Sequence, residues 1–105
     1  MTVYVLNSPI LTSFGRYSYR PISTEEARKL LANGFVSAIG HESTAQFISR
    51  ILGIPIPVNR VAINMARGDK ALVFQVLVRL PEGRILSEEE LRIIPYRLGL
   101  LEKEE

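Results

Sequence analysis

Apolar and polar positions alternate from the start of the chain, where Thr2 to Asn7 (TVYVLN) is rich in β-branched and aromatic side chains and halts at Ser8 and Pro9. Such a run predicts a strand with Asn7 at its mouth. A loop, LTSFG, follows, and Tyr17 to Ile22 alternates well enough for a second strand, which Pro21 confines to a sheet edge or terminates. The period then changes. Ala27, Leu30 and Leu31 have the three-and-four spacing of a helix, which Ser23 or Thr24 caps and Asn33 and Gly34 end. Glu26, three residues after Ser23, completes a capping box.

Phe35 to Ile39 (FVSAI) reads as a short buried strand, and Gly40 leads into a second helix, HESTAQFISRILG, with Phe47, Ile48, Ile51 and Leu52 on one side. Beyond the linker IPIPV, two further strands are predicted over Arg60 to Ala66 and Ala71 to Leu80, forming a hairpin about a turn at Arg67, Gly68 and Asp69. Pro81, Glu82 and Gly83 make a loop. Ser87 caps a short helix (SEEELRII, with Glu90 three residues on), and Tyr96 to Leu101 adds a last strand before a charged tail. The expected fold is α/β (α+β): one domain over residues 1–105, with a mixed sheet of about five strands flanked by helices. The pattern does not set the strand order.

Composition narrows the functional classes. A chain of 105 residues has room for a single core, and 47% apolar with 23% charged residues is ordinary for a globular domain. No apolar stretch approaches the roughly 20 residues of a membrane helix, and the opening MTVYVLNSPILTSFG has no basic segment before a long hydrophobic one, so a cytoplasmic location without membrane partners is expected. The absence of cysteine removes disulfides, thiolate metal sites and thiol nucleophiles, and one histidine is too few for a dedicated transition-metal site. Neither metal nor cofactor is expected. Formal charge is +2, but without Glu102, Lys103, Glu104 and Glu105 the balance is 12 basic to 8 acidic residues. Ten of the 13 basic residues are Arg, whose planar fork suits phosphate, although on composition alone a thermophile-like surface or an arginine-biased genome is the better explanation of that bias.

The one histidine, His41, follows a glycine at a predicted strand end, where open α/β sheets gather functional groups. Taken alone, it also fits a helix cap. Ser43 and Thr44 fall in the first helical turn, where free backbone N–H groups and hydroxyls together suit a phosphate oxygen. The predicted hairpin supplies Arg60, Gln75 and Arg79; Gln75 and Arg79, four apart in one strand, share a face and resemble a ligand floor, or simply an exposed sheet surface. Glu82, beside Gly83, is a carboxylate on a loop free to lie over a ligand. The run Glu88, Glu89, Glu90 is explained by the helix macrodipole and carries no assigned role.

The stretch AIGHESTAQFIS, followed by NRVAI and then FQVLVRLPEGRILSEEE, resembles a family of archaeal-virus and bacterial ring nucleases known as type III anti-CRISPR enzymes. Its most specific part is the Gly-His-(Asp or Glu)-Ser-Thr core, present here as Gly40-His41-Glu42-Ser43-Thr44. The resemblance implies a homodimer whose two subunits form a basic saddle around one cyclic tetra-adenylate, cut without metal into linear di-adenylates ending in a 2′,3′-cyclic phosphate. It further implies His41 as the essential histidine, Glu82 as the assisting glutamate and Arg79 as the arginine before the loop, with Asn7, Glu42, Ser43, Thr44, Arg60 and Gln75 at the ligand. Where viral relatives carry a serine shortly after Asn7 this chain has Ile10, leaving Ser8, Thr12 or Ser13 to take its place.

Two other functions fit the same inventory. A basic groove of this kind could sequester the messenger without cutting it, since affinity requires Arg79, Arg60 and the helix end but no acid. A pI near 9.2 is also compatible with a small viral nucleic-acid-binding protein, although no long nucleic-acid partner is expected if the ring-nuclease resemblance holds.

Overall fold

The structure, a computed structural model, describes residues 1–105. The order is β1 (Val3–Leu6), β2 (Tyr17–Pro21), α1 (Thr24–Leu31), β3 (Val36–Ser37), α2 (Glu42–Leu52), β4 (Lys70–Val76), α3 (Glu88–Ile93) and β5 (Tyr96–Lys103). The five strands form one mixed sheet in the order β2-β5-β4-β1-β3. β3, β1 and β4 run parallel, whereas β5 is antiparallel to both β4 and β2.

Local chemistry explains the helices. Ser23 and Ser87 each accept the backbone N–H three residues on, and Glu26 and Glu90 return the bond, so α1 and α3 both open on complete capping boxes. α2 has no side-chain cap and closes on Gly53 at φ 71°, a left-handed conformation that glycine adopts freely. All three helices pack on one face of the sheet. There Ala27, Leu31, Phe47, Ile48, Leu52 and Leu91 meet Val5, Leu72, Phe74 and Leu98 in the main core. Phe47 of α2 stands edge-on to Phe74 and Tyr96, each 5.9 Å away between centroids, and those two rings stack at 4.9 Å. The other face is covered by no helix: Leu6, Ala71, Val73 and Leu101 pack beneath Met65 and Ile63 from the extended segment before β4.

That extended segment corrects the expected hairpin. Residues 60–66 form no strand, because β4 already pairs with β1 along one edge and β5 along the other, leaving no free edge for them. The start of this segment is instead tied to the end of β3 and the residues just after it. The Asn59 amide N–H donates to the Ile39 carbonyl at 2.8 Å, the Asn59 side chain to the Ser37 carbonyl at 2.7 Å, and Arg60 Nε to the Gly40 carbonyl at 2.8 Å. Asp69 fixes the turn into β4: its carboxylate accepts the N–H of Ala66 at 2.8 Å and of Thr2 at 2.9 Å. Burial pushes that carboxyl up, but the Thr2 and Ala66 amides, the chain's amino terminus and Lys103 outweigh it and hold it below its ordinary range. Two predicted strands are also shorter than expected, since β4 stops at Val76 and β3 is only Val36–Ser37. Pro21 closes the edge strand β2.

Candidate functional site

Because β1, β3 and β4 are parallel, their carboxyl ends lie along one rim of the sheet, the place where such sheets bind ligands. Asn7 immediately follows β1, Gly40 and His41 follow β3, and Arg79 lies three residues past the end of β4. His41 is the N-cap residue of α2 by backbone geometry, yet its side chain makes no capping hydrogen bond and is exposed. The imidazole is therefore not consumed by the helix. With no cap, the first-turn N–H groups of α2, including those of Ser43 and Thr44, have no intrahelical acceptor and face the rim with the positive end of the helix dipole.

Two clefts meet at this histidine. One, of about 490 Å³, is lined by His41, Glu42, Ser43 and Gln46 on one side and by Glu82, Arg84 and Ile85 on the other, with Arg60 beside Gly40. The second, of about 350 Å³, has Asn7, Thr44, Arg79 and Glu82 around an apolar floor of Val76, Val78 and Leu80. His41, Ser43 and Glu82 belong to both. The histidine thus stands on the ridge between two chambers, with arginines on either side and one carboxylate across from it.

Of the residues singled out from the sequence, Asn7, His41, Glu42, Ser43, Thr44, Arg60, Arg79 and Glu82 line these clefts. Gln75, Ser8 and Thr12 do not. The expectation that Gln75 shares a ligand face with Arg79 fails because β4 ends at Val76, so strand alternation does not extend to Arg79. Gln75 sits on the face away from the helices and accepts a hydrogen bond from Arg97 Nε at 2.8 Å. Ser13, another candidate for the missing serine, is held at the far end of the sheet, where its hydroxyl meets Met65 O at 3.2 Å, Tyr17 Oη at 3.0 Å and Lys103 Nζ at 2.8 Å. Sequence reasoning missed Gln46, Arg84 and Ile85. Gln46 was detectable in principle, since it falls one helical turn after Glu42, and its amide donates to that carboxylate at 3.2 Å.

Residues 3–98 match the STIV B116-like family. The chain belongs to that family. It is 39% identical over 106 residues to Uncharacterized protein 26 of Sulfolobus islandicus filamentous virus, with 95% of this chain and 90% of the relative covered. It is 36% identical over 104 residues to Uncharacterized protein YddF of Bacillus subtilis, with 96% of each covered. Its fold superposes on B116 of Sulfolobus turreted icosahedral virus with a TM-score of 0.83 at 24% identity, covering 97% of this chain and 99% of that one. Proteins similar to this chain thus occur in both archaeal viruses and a bacterium. The five-stranded mixed sheet with three helices is the fold of that structure.

Proposed function

We propose that this family member is a metal-independent ring nuclease that opens cyclic tetra-adenylate and thereby counters type III CRISPR signalling. The observation that carries the proposal is the exposed, uncapped His41 on the ridge between two clefts, with Arg79 and Arg60 on opposite sides and Glu82 facing both. RNA carries its own nucleophile, so the protein must align a ribose 2′-hydroxyl with the neighbouring phosphorus and stabilise the phosphorane that forms. As the 2′-oxygen bonds to phosphorus, the bond from phosphorus to the 5′-oxygen breaks. Protonated His41 gives its proton to the departing oxygen, the 2′-hydroxyl proton passes to solvent, and a 2′,3′-cyclic phosphate remains.

Arg79 and the free N–H groups of α2 neutralise the charge developing on the phosphorus oxygens. Glu82 orients the imidazole or the ligand across the ridge. Two copies of the chain, each cutting one phosphate of a ring with matching two-fold symmetry, account for di-adenylate as the product, and the protein is expected to be a homodimer.

Wild type and His41→Ala, incubated with cyclic tetra-adenylate in the presence of chelator and resolved by chromatography, test this. The variant is expected to lose about two to four decades of rate while still binding the ring. Equal cleavage by both would remove His41 from the chemistry, and tight binding without cleavage by wild type would favour sequestration. Strong, salt-sensitive binding to long nucleic acid instead would favour the third function.

A further inference from the structure

Glu82 sits on a strap of five residues, 81–85, stretched between two buried leucines, Leu80 and Leu86. The far end of this strap is tied from two directions. From α2, Arg50 donates to the Leu86 carbonyl and, at 2.9 Å, to the carboxylate of Glu88. Within the strap, Arg84 makes a bidentate pair with Glu90 of α3, Nη1 to Oε1 at 2.9 Å and Nη2 to Oε2. The same Glu90 accepts the Ser87 backbone N–H at 3.0 Å, so one carboxylate both caps α3 and grips the strap. The Arg84 guanidinium draws the Glu90 carboxyl down to about 2, so the grip persists from neutral pH well into acid.

Arg84 lines the larger cleft beside His41, but both its terminal nitrogens and its charge are engaged by Glu90. Its arrangement is that of an anchor, unlike that of Arg79, which forms no ion pair in the fold. Only Gly83, at φ 75°, separates the anchored Arg84 from Glu82. Without the Arg84–Glu90 pair the strap is held only at its ends, by the buried Leu80 and Leu86 and the Arg50 bond to the Leu86 carbonyl, and Pro81 and the permissive Gly83 are left to set where the Glu82 carboxylate points.

We propose that Glu90, acting through Arg84, is a positioning residue that fixes the strap so that Glu82 faces His41. This rests on the ring-nuclease function only as far as Glu82 matters for turnover. Glu90→Gln separates the two roles of Glu90, because a glutamine carbonyl still accepts the Ser87 N–H while the paired carboxylate oxygens that grip Arg84 are lost. With cyclic tetra-adenylate as substrate, kcat should fall about tenfold to a hundredfold with KM little changed. The same substitution in a Glu82→Ala background should cause no further loss, and Arg84→Lys, which keeps the charge but not the fork, should fall between wild type and Glu90→Gln.

Limited trypsin digestion, with the cut after Arg84 followed by mass spectrometry, reads the strap with no adenylate present. Glu90→Gln should be nicked there faster than wild type. A raised KM at unchanged kcat would make Arg84 a direct ligand contact and overturn the proposal, as would a full loss of kcat persisting in the Glu82→Ala background. If wild type leaves the ring intact, the function fails by itself; faster nicking of Glu90→Gln would still support the anchor, and equal nicking would overturn it.

Discussion

Phe47 and Phe14 are the same residue type in opposite surroundings, and comparing them tests how α2 is held. Phe47 is 1% exposed and lies against Phe74 and Tyr96, whereas Phe14 is fully exposed in the loop after β1. Truncating a buried phenylalanine to alanine costs about 3–5 kcal/mol from lost transfer energy and the cavity left behind. Two edge contacts at about 0.5–1.5 kcal/mol each place Phe47→Ala toward the upper part of that range. Against a total stability of about 5–15 kcal/mol for a domain of this size, the loss is large.

Each kilocalorie shifts Tm by roughly 4–8 °C in a domain of about 100 residues, so Phe47→Ala should melt about 12–40 °C below wild type. Phe14→Ala should stay within about 0.5 kcal/mol of wild type. Guanidinium titrations followed by circular dichroism, with thermal melts beside them, measure both. A loss below about 1 kcal/mol for Phe47→Ala, or a comparable loss for Phe14→Ala, would refute the packing that seats α2 and with it the placement of His41.

Asp69→Asn should cost about 1–3 kcal/mol near neutral pH, because one of the two buried acceptor positions becomes an N–H donor facing an amide. The Asp69 carboxyl is held below its ordinary 3.8, so its contribution is complete above that pH and is lost as pH falls through the lowered value. The gap between wild type and Asp69→Asn in urea should accordingly narrow in acid, and a gap that widened there would contradict the assignment. Arg79→Ala should lower cleavage of cyclic tetra-adenylate by about 10²–10³-fold, as loss of a charge-stabilising donor does, with little effect on Tm. Single-turnover rates and melting curves check both halves, and an unchanged rate would take Arg79 out of the site.

What could be read from the chain was mostly local. The serine-glutamate spacing at Ser23 and Glu26 and at Ser87 and Glu90 carries its own hydrogen bonds, and both helices start where that spacing places them. The junction at Gly40 and His41 was legible for the same reason, since a glycine between a β-branched run and an apolar helical stripe needs no distant partner to be recognised. Residues 60–66 have strand-like composition, but whether they pair depends on which edges of β4 are free, and β1 and β5 claim both. Gln75 and Arg79 do not share one strand face because the end of a strand is a tertiary property: the ladder with β5 stops at Val76 opposite Tyr96. Arg84 was invisible for a related reason, as its role depends on Glu90, which sequence pattern accounted for completely as a helix cap.

The most direct test of the central claim is the chemical identity of the product. Cyclic tetra-adenylate incubated with the wild-type protein and chelator, then examined by ³¹P NMR and mass spectrometry, should yield linear di-adenylate carrying a 2′,3′-cyclic phosphate, with no solvent oxygen incorporated. An intact ring, or a product whose new phosphate end has taken up ¹⁸O from labelled water, would contradict it.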